Sequence, residues 1–146
     1  VGWVEPGEVL LADRAFCSWG LLALFQGKGV DVVWRLHQAR QRQTGRVRWT
    51  KPQGPGPWEP SLWAELPATL ALRIVRFRVQ VPGFRTEEIV LVTTLLDEGR
   101  YPEAALAALF RRRWQVELCF RDLKTTLGLD VLRTQTPALI EKEIHL

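Results

Sequence analysis

Between positions 103 and 127 the chain has neither proline nor glycine and is rich in Ala, Leu, Arg and Glu. Such a run reads as one long helix. Pro102 suits its first position and Gly128 supplies a stop. At about 100° per residue, with Phe110 set to zero, Arg113, Glu117 and Lys124 fall at about −60°, −20° and −40°. These four share a stripe only ~60° wide. Ala105, Leu109, Val116, Phe120, Leu123 and Leu127 cluster at about 220–280°, which makes them the expected core-facing stripe. Arg111, Arg112, Gln115 and Asp122 take the opposite, wet side. Glu117 then sits where the buried face meets solvent, flanked along the axis by two cations. That is a place for a working carboxylate. The same residues also fit a plain surface helix, in which Arg113 and Glu117, four apart, pair for roughly a few tenths of a kcal/mol.

Upstream, Glu5-Pro-Gly-Glu8 is a turn, and Val9-Leu-Leu-Ala12 is a short apolar run of the kind that forms a buried strand. Asp13 ends it. A carboxylate at the C-terminal edge of a buried strand emerges at the sheet rim, where α/β proteins place ligands. A turn cap or a salt bridge to Arg14 accounts for a lone Asp equally well. Ser18 suits the N-cap of a helix running to about Gln26, ended by Gly27 and Gly29. Residues 29–36 (GVDVVWRL) then read as a strand. Strand, helix and strand define an α/β unit, so Asp13 is expected on a mixed or parallel sheet.

From His37 to about Leu66 the texture changes to Gln/Arg-rich sequence and then to Lys51-Pro-Gln-Gly-Pro-Gly-Pro57, which reads as loop. Trp49, Trp58 and Trp63 lie in or beside it. They suit stacking on unpaired bases, or a small cluster that holds the loop. Residues 70–81 alternate apolar residues with Arg, as a half-buried strand with a basic face. Pro82-Gly83 turns the chain into a second strand over 88–96, its antiparallel neighbour. Thr136-Pro137 opens a last helix.

Charge adds to this. The net charge is +4 with a pI near 9.6. Arg35, Arg40, Arg42, Arg46, Arg48 and Lys51 fall between Asp31 and Glu59 with no acid among them. Arg73, Arg76, Arg78 and Arg85 do the same between Glu65 and Glu87. Acid-free basic tracts are the footprint expected for a phosphate backbone. No apolar run approaches ~18 residues, so no membrane span is expected, and nothing reads as an export leader. Cys17 and Cys119 form no metal-ligand pattern, and reduced thiols in the cytoplasm are the expectation.

The series Phe110-x-x-Arg113-x-x-x-Glu117, with Lys124 seven further on, resembles the Tyr-Arg-Glu-Lys helix of bacterial DDE transposases of insertion-sequence family four. The surrounding RRRWQVELCFRDLKTTLGLDVLRTQTPALIEKEI extends the likeness, and so does Leu-Ala-Asp-Arg-Ala-Phe-Cys-Ser around Asp13. One departure is Phe110, which keeps the ring of the family's tyrosine but lacks the phenol. The resemblance implies an α/β, ribonuclease-H-like mixed sheet with flanking helices. Residues 1–36 and 88–146 would form a partial catalytic core, and 37–87 a basic, Trp-containing, β-rich insertion.

It further implies metal-dependent phosphodiester hydrolysis and strand transfer at transposon ends. Asp13 and Glu117 match the family's second aspartate and its glutamate, as catalytic and metal-binding residues for two Mg²⁺ or Mn²⁺ ions. Arg113, Lys124 and Phe110 match its DNA-binding positions. The first aspartate has no counterpart, since only Glu5 and Glu8 precede Asp13 as acids. The expectation is therefore a fragment that is inactive alone, with DNA ends and target as partners and possible homodimerisation of a full-length protein. Two other readings stand beside it: a truncated, catalytically inactive DNA-binding remnant, and a different ribonuclease-H-like nuclease such as a resolvase.

Overall fold

A computed structural model describes residues 4–37, 40, 42–79 and 87–127. The elements are β1 (Val9–Ala12), α1 (Trp19–Gly27), β2 (Asp31–Arg35), β3 (Gly45–Thr50), α2 (Pro60–Glu65), β4 (Thr69–Val79), β5 (Glu87–Thr93) and α3 (Glu103–Leu127). The turn at Pro82 and Gly83, the stop at Gly128 and the helix expected from Thr136 lie outside the described residues. The chain divides into two compact units, Val1–Phe110 and Arg111–Leu146. All five strands belong to the first.

They form one mixed sheet in the order β1-β2-β5-β4-β3. β1 and β2 are parallel, with Ala12 opposite Trp34. The other pairings are antiparallel. A parallel pair needs a crossover, and α1 supplies it. Ser18 caps α1 by accepting the Leu21 N–H at 3.3 Å, as its sequence position suggests. Gly29 leaves the helix at φ +72°, a conformation that favours glycine, and strand β2 follows. The fold is thus mixed α/β, consistent with the ribonuclease-H-like expectation.

Alternation along the strands separates two faces. Trp34, Val32, Val92, Val90, Ile74, Leu72, Leu70 and Trp49 point one way and pack with Trp19, Leu22, Ala23 and Phe25 of α1. The opposite face carries Val33, Leu91, Val75 and Thr93, all fully buried. Of the described α3 residues in this first unit, Leu106, Ala107 and Phe110 are buried. The Phe110 ring meets Phe77 edge-on with centroids 6.4 Å apart. By alternation Phe77 belongs to the Val75 face, so the start of α3 covers that side.

Two expectations need correction. Within the first unit the buried face of α3 is that of Leu106, Ala107 and Phe110 and not that of Ala105 and Leu109, which are exposed and half-buried; of the rest of the expected stripe Val116 is exposed, and the side chains of Phe120, Leu123 and Leu127 lie outside the described residues. Both stripes are apolar near the helix start, and the large ring needed against Phe77 decides between them. Residues 70–79 do not form a strand with a uniformly basic face either. Burial is continuous from Leu72 to Val75, because helices lie on both sides of the sheet. Arg73 is itself buried at 2% exposure. Its Nη1 donates to the Tyr101 carbonyl at 2.7 Å, two residues before α3. Pro102 is one residue earlier than expected: its carbonyl accepts the first helical bonds, from Ala105 and Leu106.

The sequence reading missed two elements. β3 is an edge strand in which Val47 and Trp49 alternate with exposed Arg46 and Arg48. α2 has Glu59 as its cap, accepting from the Leu62 N–H at 3.1 Å, and Pro60 at its start.

Candidate active site

Asp13 follows β1 directly, at the end where the parallel pair β1 and β2 both terminate. Leu10 and Ala12 pack toward the α1 side, so alternation sends Asp13 to the other side, the one covered by α3. In parallel register with Ala12 opposite Trp34, the residue beside Asp13 on β2 is Arg35. Asp13 remains extended (φ −82°, ψ 172°), and its Oδ1 accepts the Arg14 N–H at 2.7 Å. Its carbonyl accepts from Phe16 at 3.1 Å, closing a single 3₁₀ turn over Arg14–Phe16. The cap and the rim position are therefore combined. One carboxylate oxygen holds the turn, which leaves the second for a ligand.

α3 carries the remaining assigned positions. Phe110 is 2% exposed, so in this chain the ring is an anchor for the helix rather than a surface group. Arg113 is half-buried. At about 100° per residue, backbone positions 113, 117 and 124 fall on the same helix face as Leu106 and Phe110. The side chains of Glu117 and Lys124 lie outside the described residues. Among the described residues no three His, Cys, Asp or Glu side chains gather as a metal site. Asp13 supplies a hard oxygen donor of the kind Mg²⁺ and Mn²⁺ prefer, but it does not complete a site by itself.

The tryptophans take the structural role. Trp63 packs on Trp19 with centroids 5.4 Å apart and on Trp58 at 6.5 Å. The Trp49 indole donates to Gln43 at 2.8 Å beneath the Arg40 guanidinium, 4.0 Å from its ring. Lys51 Nζ donates to the carbonyls of Trp63 and Leu66 and lies 5.3 Å from the Trp63 ring. These contacts fasten the Pro/Gly-rich loop to α1. Part of the basic tract is also engaged internally, since Arg46 donates to the Leu96 carbonyl at 3.1 Å and reaches Glu98. Arg76 pairs with Glu88 at 2.8 Å. Burial pushes the Cys17 thiol up, against smaller opposing effects from a His37 backbone bond and the Arg40 charge, which lowers its thiolate fraction.

The mixed sheet with a parallel crossover and a helix on each face defines an α/β core, with one carboxylate at its rim. The comparisons identify the kind. Residues 3–146 match the family model described as Transposase DDE domain, and the chain belongs to that family. It is 27% identical over 147 residues to the transposase InsG for insertion sequence element IS4 of Escherichia coli (strain K12). That alignment covers 92% of this chain and 31% of the relative. It is also 46% identical over 61 residues to the putative transposase InsL for insertion sequence element IS186A of the same strain. A third similar protein, again 46% identical over 61 residues, is the transposase for insertion sequence element IS421 of Escherichia coli. Each of these shorter alignments covers 42% of this chain and 16% of the relative. The chain thus spans about a third or less of the length of the curated relatives it matches. No solved structure matches it. No helix among the described residues is long and apolar enough to cross a membrane.

Proposed function

We propose that these residues form the catalytic-core portion of a DDE transposase that hydrolyses a phosphodiester and transfers the strand at transposon ends. The observation that carries this reading is the position of Asp13. It stands at the rim of the parallel strands, on the sheet face that the start of α3 covers through Leu106 and Phe110. Asp13 and Glu117 are assigned as two carboxylates of the metal site, and the third comes from outside these residues. When bound, Mg²⁺ or Mn²⁺ supplies activation of the attacking oxygen and stabilisation of the leaving one.

The chain's own part is positional. The Arg14–Phe16 turn fixes the Asp13 backbone, and the Phe110–Phe77 contact fixes the start of α3. Arg113 and Lys124 neutralise phosphates near the cut, with Arg suited to a bidentate contact. Phe110 serves DNA binding indirectly, by anchoring the helix that carries these cations. Residues 1–36 and 88–146 act as core, and 37–87 as an insertion whose strands widen the same sheet.

The test is Mg²⁺- or Mn²⁺-dependent cleavage of a transposon-end duplex by this chain and by a version extended upstream to include the third carboxylate. Cleavage is expected only from the extended protein. There, Asp13→Asn and Glu117→Gln should each abolish cutting and leave DNA affinity largely intact. Equal loss of binding in both variants would mean structural roles and would sink the assignment. DNA binding with no cleavage by either protein would favour the inactive DNA-binding remnant instead.

A further inference from the structure

The three α-helices do not start in the same way. Ser18 caps α1 and Glu59 caps α2, each with a side-chain oxygen one residue ahead of the helix. The residue in that place before α3 is Pro102, whose ring carries no acceptor. Its predecessor Tyr101 is instead held on both sides of its backbone. The Tyr101 N–H donates to the Asp97 carbonyl at 2.8 Å, and the Tyr101 carbonyl accepts from Arg73 Nη1 at 2.7 Å. Arg73 reaches that carbonyl from within β4, 28 residues away in sequence. Cross-strand register ties it to the rest of the sheet. Arg73 lies opposite Thr93, Thr93 opposite Val33, and Val33 opposite Leu11. That row ends on β1 two residues before Asp13 and on the same face. One buried side chain thus connects the row beside Asp13 to the start of the helix that carries Arg113 and Glu117. Burying a guanidinium is costly, and an apolar residue would fill the same face as Val75 does. It would leave the Tyr101 carbonyl without its donor.

We propose that Arg73 is a positioning residue for the reaction: it sets the start of α3 against the sheet row beside Asp13, and α3 carries that setting to Glu117. The inference rests on the assignment of Asp13 and Glu117 to the metal site. Asp13 belongs to the sheet and Glu117 to the helix, so two carboxylates that must serve one site depend on the fastening between sheet and helix. A helix has a fixed rise and turn per residue, so an error in its first turn is repeated along it. The Phe110–Phe77 contact holds early α3 down by apolar burial, which is non-directional. The hydrogen bond from Arg73 is directional, and it resists sliding and rotation of the helix start.

The experiment uses the upstream-extended protein and a transposon-end duplex. Arg73→Met should bind the duplex with unchanged affinity but bind Mn²⁺ several-fold more weakly, read from the free-Mn²⁺ signal in electron paramagnetic resonance. Its cleavage rate at saturating DNA should fall on the order of 10- to 100-fold, the scale of a small misplacement of reacting groups. Arg73→Lys keeps a charged donor and should recover most of both properties. Gly20→Ala, which strains α1, is the control: it should keep the parent's Mn²⁺ affinity and its rate per folded molecule. Parent-like Mn²⁺ affinity and rate in Arg73→Met would overturn the proposal. So would a rate that falls only with the folded fraction at unchanged Mn²⁺ affinity, which would leave Arg73 a stabilising role alone. If Arg73→Met fails to fold, Arg73→Gln is read by the same criteria, since its amide ends short of the guanidinium position. Cleavage retained by Asp13→Asn would count against the metal-site assignment itself, whatever the Arg73 variants do.

Discussion

Arg73 shows at residue scale how a charge can serve position rather than surface. A guanidinium stays protonated under all ordinary conditions and offers several donors in a fixed fork. At 2% exposure it must spend them inside the protein, and one reaches the Tyr101 carbonyl. That carbonyl sits just ahead of α3, where the chain must break from the Asp97 turn into helix. The Asp97 side chain holds the turn by accepting the N–H groups of Gly99 and Arg100. Replacing Arg73 with Met keeps much of the apolar stem and removes the donor. The expected cost is about 1.5–3 kcal/mol, the scale of a hydrogen bond to a charged group, read from urea unfolding of the chain. Alternation puts Arg73 on the opposite face of β4 from Arg76 and Arg78, but nothing local in the sequence says which face is covered. The start of α3 over the Val75 face decides that Arg73 is the buried one.

Among the elements, α1 and β1 were legible from local signals. An apolar run ended by Asp13 and a Ser18 cap are short-range features, and both elements form where the residues indicate, although β1 is only half-buried, with Val9 exposed, and not the buried strand its apolar run suggests. β3 and α2 were not, although signals existed. Arg46-Val-Arg-Trp49 has a period of two, and Glu59-Pro60 is a helix opening. The Gln, Pro and Gly around them set the texture of the segment and hid both. The phase of α3 failed for a different reason. Its early turns are apolar on two sides, and the choice between them depends on a strand distant in sequence.

Contacts between elements also explain a glycine inside α1. A Cβ at Gly20 would lie 2.5 Å from the Trp58 ring. Gly→Ala within a helix normally gains roughly 0.5–1 kcal/mol. At Gly20 the ring must move, and a net loss of about 1–3 kcal/mol is expected from overpacking. Thermal unfolding of Gly20→Ala, alone and in a Trp58→Ala background, checks this: the substitution should cost little or nothing relative to Trp58→Ala itself. Additive losses would show that the two residues do not interact.

At the scale of the molecule, one sheet joins two kinds of connection. The parallel half places Asp13, and the antiparallel half spreads the sheet sideways through β5, β4 and β3. The Trp-rich loop is fastened to α1 on one side, and the other side is left to α3. β1, the strand that ends in Asp13, is short and lies at the margin of the sheet among the described residues, with Val9 exposed.

That margin makes the protein divisible. A strand donated by a separate polypeptide and laid parallel along β1 would end beside Asp13, at the ~4.8 Å spacing of neighbouring strands. Cutting would then behave as a reconstituted property of two pieces. On the proposed role of Asp13, a polypeptide that carries the third carboxylate and this chain, made apart, should recover metal-dependent cleavage on mixing, with a rate that saturates as that polypeptide is titrated. No recovery at any ratio would mean that β1 cannot receive a partner strand once this chain has folded.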